Sequence, residues 1–147
     1  MTIVLNGDSL TIEKLVDVAR KLKKVKVSDN SWEKINSCRE MLQNKIDAHE
    51  IMYGITTGIG EFSEVTLTPE QTQEFQKLLV RNHAAGIGDP MDIEIVRGAM
   101  CGRINVHAKG HSGGRKIITE YLEKVLNNNI TPVVCEKGSV GASGDLA

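Results

Sequence analysis

The sequence predicts a mainly α-helical fold with a small two-stranded β element near the N-terminus. Three observations lead there. Apolar residues recur at helical spacing in one stretch after another. Helix-start signals, a capping residue followed by Pro or by Gln three positions on, punctuate the chain. Strict alternation of apolar and polar residues is confined to short pieces. With 147 residues, 40% hydrophobic and 25% charged, the composition is that of a globular chain. That length suits one domain or a piece of a larger one. Aromatics make up only 3%, so aliphatic side chains must fill the core.

Taken in order, Ile3-Val4-Leu5 is β-prone and Asn6-Gly7 ends it. Asp8, Ser9 or Thr11 can cap the first helix, whose inward stripe is Ile12, Leu15, Val16, Ala19 and Leu22. Val25-Lys26-Val27 alternates and is expected to pair with the first strand. Ser28-Asp29 opens a second helix with Trp32, Ile35, Cys38, Leu42 and Ile46 inward, ending near Ala48-His49. The loop YGITTGIG, from Tyr53 to Gly60, holds three glycines in eight residues. Such density requires unusual backbone angles or the close approach of another group. Thr68-Pro69-Glu70-Gln71 is a helix start with a cap, a first-turn proline and a capping box. Phe75, Leu78 and Leu79 face the core, and the helix stops before Gly86. Asp89-Pro90 repeats the start signal for a helix carrying Ile93, Val96, Met100 and Ile104 to about Lys109-Gly110. Ser112 opens the last helix, with Ile117, Ile118, Tyr121, Leu122 and Val125 inward and Asn127-Asn128-Asn129 at its end. Ile130 to Val134 is extended, partly because Pro132 restricts the residue before it.

The net charge of -1 gives no electrostatic case for nucleic acid or an anionic membrane as partner. Arg20, Lys21, Lys23, Lys24 and Lys26 cluster as a solvated helix end favoured by the dipole. Cys38, Cys101 and Cys135 are odd in number, far apart and without a CxxC, which suits reduced thiols in a cytoplasmic protein. No secretory signal is visible at the N-terminus, and no apolar run approaches the roughly 18 residues of a membrane span.

The chain closes on GSVGASGDLA, residues 138–147. Bare backbone before an Asp allows three readings: a loose loop, a phosphate cradle, or a segment whose backbone itself reacts. The cradle fails GxxxxGK[ST], because no Lys follows Gly144. Ser143 is not in a GxSxG elbow, because Asp145 holds the last position. His107 and His111, four apart, have Gly110 between them and no acidic companion, so hydrogen bonding or packing suits them better than a metal. His83 and Tyr53 are each ambiguous alone: a helix-end histidine, and a tyrosine hugged by Gly54, Gly58 and Gly60. In the third reading the Gly144 nitrogen attacks the Ala142 carbonyl carbon, and a five-membered ring closes. Ser143 then loses its hydroxyl as water, leaving an exocyclic methylidene. The product is an electrophile that no ordinary side chain supplies.

Ala142-Ser143-Gly144 within that run resembles the prosthetic-group segment of the aromatic amino acid ammonia-lyases and aminomutases. YGITTGIGEF is similar to the family's tyrosine loop, RNHAAGIGDP to its helix-end histidine segment, and GRINVHAKGHSGGR to its Arg-Ile-Asn to Lys-Gly-His-Ser-Gly stretch. These segments fall in family order along nearly the whole chain, and His83 places it nearest the histidine-specific branch. The resemblance implies an enzyme, a carbon–nitrogen lyase that converts L-histidine to trans-urocanate and ammonia. Ala142, Ser143 and Gly144 would form the methylidene imidazolone, with no metal. Tyr53 would be the base that removes the β-proton. His83 would contact the substrate side chain. Gly54 and Gly60 would shape the tyrosine loop, and Asp145 would help order the reactive one. A phenol titrates near roughly 10, so that role asks for donors to the tyrosine oxygen.

The family fold is helical and related to aspartase and fumarase, and it assembles as a homotetramer in which the tyrosine of one subunit faces the prosthetic group of another. Two departures stand out. Thr56 occupies a position that is usually Asn, and Ile59 one that is often aromatic. Tyrosine ammonia-lyase and tyrosine 2,3-aminomutase therefore stay open as alternatives. The family chain is also several times longer. Residues 1–147 are then expected to be a single N-terminal domain, truncated just after the prosthetic-group motif. In such a chain by itself the ring is not expected to form and turnover is not expected. The rival from another class is a non-catalytic helical module with a glycine-rich tail.

Overall fold

The computed structural model describes residues 2–138, so Ala142, Ser143, Gly144 and Asp145 lie outside the described residues. The elements run β1 (Ile3–Leu5), α1 (Ile12–Ala19), β2 (Val25–Val27), α2 (Asp29–Asp47), α3 (Pro69–His83), β3 (Ile87–Pro90), α4 (Ile93–His107), α5 (Lys116–Asn127) and β4 (Cys135–Lys137), with a 3₁₀ turn at Gly60–Phe62. Helix dominates, as the periodicity predicts. The chain divides into two compact units, Met1–Leu42 with Pro90–Val134, and Gln43–Asp89 with Cys135–Ala147.

In the first unit β1 and β2 pair in parallel, with Ile3 opposite Val25 and Leu5 opposite Val27. Parallel neighbours need a crossover, and α1 supplies it. Thr11 caps α1, its hydroxyl accepting from the Lys14 N–H at 3.3 Å. Ile3, Leu5, Val25 and Val27 point inward and are buried, joined in one core by Val18, Ile35, Val96, Met100, Cys101, Ile104, Ala108 and Leu126. The free edge of β2 is closed by side chains of α5. The Asn127 amide both accepts from the Val25 N–H (2.8 Å) and donates to the Val25 carbonyl (2.9 Å), and Glu123 accepts from the Val27 N–H at 3.1 Å. An edge that could recruit a foreign strand is thereby satisfied internally. Asn105 of α4 does the same for Gly7, a residue at φ +95° whose added Cβ would fall 2.5 Å from Lys109.

Arg97 sits inside this core, 1% exposed. Its guanidinium donates to the Val18 carbonyl from Nε (3.3 Å) and Nη2 (3.2 Å), and to the Leu126 carbonyl from Nη1 (3.2 Å). Val18 and Leu126 belong to the last turns of α1 and α5, and Leu126 also accepts from the Asn129 N–H at 3.2 Å. A cation there meets the negative ends of two helices at once.

Several inward assignments are corrected. Ile12, Leu22, Leu78, Ile93, Ile117, Ile118 and Tyr121 are exposed, while Val18, Thr119, Leu126 and Arg97 take the buried places. Asp89-Pro90 does not open α4. Residues 87–90 form β3 instead, and α4 follows Asp92. Nor does Ser112 open α5, which starts at Lys116. Gly113, at φ +62°, turns the chain first, at a place where a Cβ would meet Leu42 at 2.8 Å. The basic cluster finds acidic neighbours: Lys21 and Lys23 reach Asp17 at 2.8 and 2.6 Å, and Arg20 reaches Glu94 at 3.0 Å. The three cysteines are free thiols. Among the described residues no helix is long and apolar enough to cross a membrane.

Candidate active site

Tyr53, Gly54, Gly60 and His83 all fall in the second unit. The Tyr53 loop is built by two threonines. The Thr56 hydroxyl accepts from the Met52 N–H at 2.8 Å and donates to the Glu50 carbonyl at 2.8 Å. Thr57, 1% exposed, accepts from the Gly54 N–H at 3.2 Å, and its hydroxyl lies 2.9 Å from the Gly58 carbonyl. A bridge from Thr57 to Thr66 closes the base of the loop. Gly54 turns at φ +68° and Gly60 at φ +57°, as dense glycine predicts. Gly58 is required for a different reason: a Cβ there would sit 2.6 Å from the Phe62 carbonyl oxygen.

This scaffold leaves the Tyr53 ring 66% exposed, and the Gly60 N–H donates to its phenolic oxygen at 3.1 Å. The structure therefore brings Tyr53 and Gly60 together and supplies one donor of the kind the base role asks for. Threonine pairs hydrogen-bond to nearby backbone in turns, a signal that could have pointed to Thr56 and Thr57 as the loop's organisers.

His83 is the last residue of α3 and half-buried. The start of that helix follows the sequence signal closely. Thr68 accepts from the Gln71 N–H at 3.2 Å, and the Gln71 side chain accepts from the Thr68 N–H at 2.9 Å. The His83 Nδ1 lies 2.7 Å from the Leu79 carbonyl oxygen. A carbonyl can only accept, so Nδ1 is the protonated nitrogen, and Nε2 is left as the nitrogen available to a ligand.

After α3 the chain enters β3, which pairs with β4. That pairing was not expected from the sequence, which reads Ile-Gly-Asp-Pro there. His107, set aside above as a metal ligand, has its Nδ1 3.0 Å from the Thr119 hydroxyl. Among the described residues no group of three His, Cys, Asp or Glu could hold a metal ion.

A family model for aromatic amino acid lyases matches residues 10–147. The chain is 44% identical over 145 residues to histidine ammonia-lyase from Caldanaerobacter subterraneus, covering 99% of this chain. It is 42% identical over 147 residues to histidine ammonia-lyase 1 from Fusobacterium nucleatum, covering all of it. In both comparisons the chain spans 28% of the relative's length. The crystal structure of tyrosine aminomutase from Streptomyces globisporus superposes with a TM-score of 0.90 at 35% identity, over 95% of this chain and 26% of that one.

Proposed function

This chain belongs to the aromatic amino acid lyase family, and from that premise we propose that it is the N-terminal part of a longer cytoplasmic ammonia-lyase acting on L-histidine to give trans-urocanate and ammonia. The observation that carries the substrate assignment is identity above 40% to histidine ammonia-lyases across essentially the whole chain. His83, with Nε2 left for a ligand, supports it. The free thiols support the compartment.

The residues present fit a methylidene imidazolone. Ala142 offers a slim carbonyl, Ser143 a hydroxyl that can leave as water, and Gly144 an unhindered nitrogen, while β4 anchors the backbone shortly before them. Once formed, the ring supplies an electrophile that engages the substrate amine and improves it as a leaving group. The protein's own part is positional and basic. Tyr53 takes the β-proton at its phenolic oxygen, held by the Gly60 N–H. The electrons of that C–H bond become the new carbon–carbon double bond, and the amine departs with its bonding pair. His83 holds the substrate imidazole through Nε2. Asp145, next after Gly144 in the sequence, is the residue the resemblance assigns to ordering that segment.

We also propose that the longer protein assembles as a homotetramer, as the family resemblance implies; Tyr53, Phe62, Val65, Leu78 and Val80 of the second unit are each exposed and available to be covered by further residues.

The test is an assay of the longer protein with histidine, tyrosine and phenylalanine. Release of urocanate from histidine alone is the expected result. Consumption of tyrosine without histidine would sink the substrate assignment, and β-tyrosine would select an aminomutase. That second reading rests on the likeness to tyrosine aminomutase and on Thr56. For residues 1–147 by themselves, intact mass should match the unmodified sequence and turnover should be absent. A deficit of two waters in that chain would overturn this part of the proposal.

A further inference from the structure

The Tyr53 phenol and the Gly60 N–H that donates to it at 3.1 Å leave from two arms of one loop. A side chain tied to both arms would fix the distance between them, and the Thr57 hydroxyl is so tied. It accepts from the Gly54 N–H at 3.2 Å, in the peptide unit that follows Tyr53. Its own proton has the Gly58 carbonyl at 2.9 Å, two residues before Gly60, with the Met52 carbonyl farther off at 3.4 Å. The Met52 carbonyl already accepts from the Ile55 and Thr56 N–H groups at 3.1 and 3.0 Å. Among the described residues neither the Gly54 N–H nor the Gly58 carbonyl has a backbone partner. Thr57 is 1% exposed, so water has little access to compete for that hydroxyl. The chain on either side is anchored too: the Thr56 carbonyl accepts from the Leu67 N–H at 3.0 Å, and the Gly58 N–H donates to the Val65 carbonyl at 3.1 Å. The Thr56 hydroxyl differs, because its short bonds go to Met52 and Glu50, both before Tyr53.

We infer that Thr57 is a positioning residue for the base: its one buried hydroxyl joins the arm that carries the phenol to the arm that carries the phenol's donor. The inference rests on the function proposed above for Tyr53. Threonine suits the task because branching at Cβ restricts its χ1, which fixes where the oxygen stands. Valine has the same shape without the oxygen, and would leave the Gly54 N–H and the Gly58 carbonyl without their partner.

The test is a double-mutant cycle in the longer protein. Thr57→Val should lower kcat by roughly 10–100-fold, with KM changed by less than about threefold. Thr57→Ser, which keeps the hydroxyl, should recover most of that loss. On a Tyr53→Phe background Thr57→Val should lower kcat by less than about twofold further, because no phenolic oxygen is left to place. A further loss there of about tenfold or more, or a serine variant as slow as the valine one, would make Thr57 merely structural and overturn the inference. Thr57→Ala carries the same expectations if the valine protein does not fold. Amide hydrogen exchange reads the clamp without turnover. The Gly54 and Gly60 amides should exchange at least about tenfold faster in Thr57→Val than in the parent, and near the parent rate in Thr57→Ser. Unchanged exchange in Thr57→Val would show that the hydroxyl does not hold the two arms. A parent protein that ignored histidine would refute the proposed function, and exchange would still decide whether Thr57 clamps the loop.

Discussion

The backbone N–H of Gly60 donates to the phenolic oxygen of Tyr53 across 3.1 Å, seven residues apart in one loop. The donor is aimed by backbone, since Gly60 sits at φ +57° with nothing within 4 Å of where a Cβ would be. Removing the phenolic oxygen should therefore abolish a chemical role while leaving the loop in place, because Thr56 and Thr57 hold it independently. Tyr53→Phe in the longer protein should lower kcat by about 10²–10⁴-fold, the usual range for an acid–base group. Its mass deficit of two waters should persist. Near-normal turnover would return Tyr53 to a structural role.

Arg97 gives a prediction about folding. Burial pushes its guanidinium pKa down, with the neighbouring Cys101 acting weakly in the other direction. Among the described residues no carboxylate pairs with the guanidinium; the Val18 and Leu126 carbonyls receive its donors. Arg97→Met would keep the volume and take from the Val18 carbonyl the donors that Arg97 supplies, while Leu126 keeps the Asn129 N–H. The expected loss is about 1–3 kcal/mol, the cost of one buried group left unpaired. Arg97→Lys should recover only part of it, because an ammonium cannot fork between α1 and α5. Urea unfolding of the three proteins checks the order, and a Met variant as stable as the parent would contradict it.

The contrast between Thr68 and Arg97 shows what the sequence could tell. Thr68, Pro69 and Gln71 act on one another within a single turn, so their roles are written in four adjacent letters. The β-prone run Ile3–Leu5 and the alternation in Val25–Val27 are equally local, and the expected pairing is present. Arg97 has its partners 79 and 29 residues away, and nothing near it hints that a cation belongs beside Val96. The exposed Ile12, Ile93 and Ile117 fail for the opposite reason. Periodicity marks apolar positions, but it does not say which of them the neighbouring elements cover. In the site, the glycine loop announced the positive φ of Gly54 and Gly60. The β3–β4 pair stayed hidden because Ile-Gly-Asp-Pro has the composition of a turn.

Cys101 should be the silent thiol. It is fully buried, and burial pushes its pKa from 9.0 up to about 11, with Arg97 pulling weakly the other way. At neutral pH a maleimide should label the half-buried Cys38 and Cys135 and reach Cys101 only after unfolding. The raised value also sets an alkaline limit. Below pH 9 the thiol is protonated in both states and its contribution is complete. Between about pH 9 and 11 the unfolded chain releases the proton first, and stability falls by about 1.4 kcal/mol per pH unit. Cys101→Ala should flatten that part of the profile. Rapid native labelling at Cys101 would show that the core opens there.

His107 sets the acid limit. Its imidazole lies near the end of α4, against the Thr119 hydroxyl of α5, and lines a cavity of about 160 Å³ with Ile35, Arg115 and Ile118. Burial, and then the charge of Arg103 one turn earlier, hold its pKa below the ordinary 6.5. The folded protein therefore binds a proton less readily than the unfolded chain. Above pH 6.5 both states are neutral and the contribution is intact. As pH falls through 6.5 the unfolded chain protonates first, and stability is lost until the folded value is reached. Protonating the folded state would add a third cation to Arg103 and Arg115. His107→Gln keeps an amide that can bond Thr119 but cannot titrate, so it should lose less stability than the parent between pH 7.5 and 5.5. Urea midpoints at those two pH values decide the matter. An equal acid loss in both proteins would assign the effect to another group.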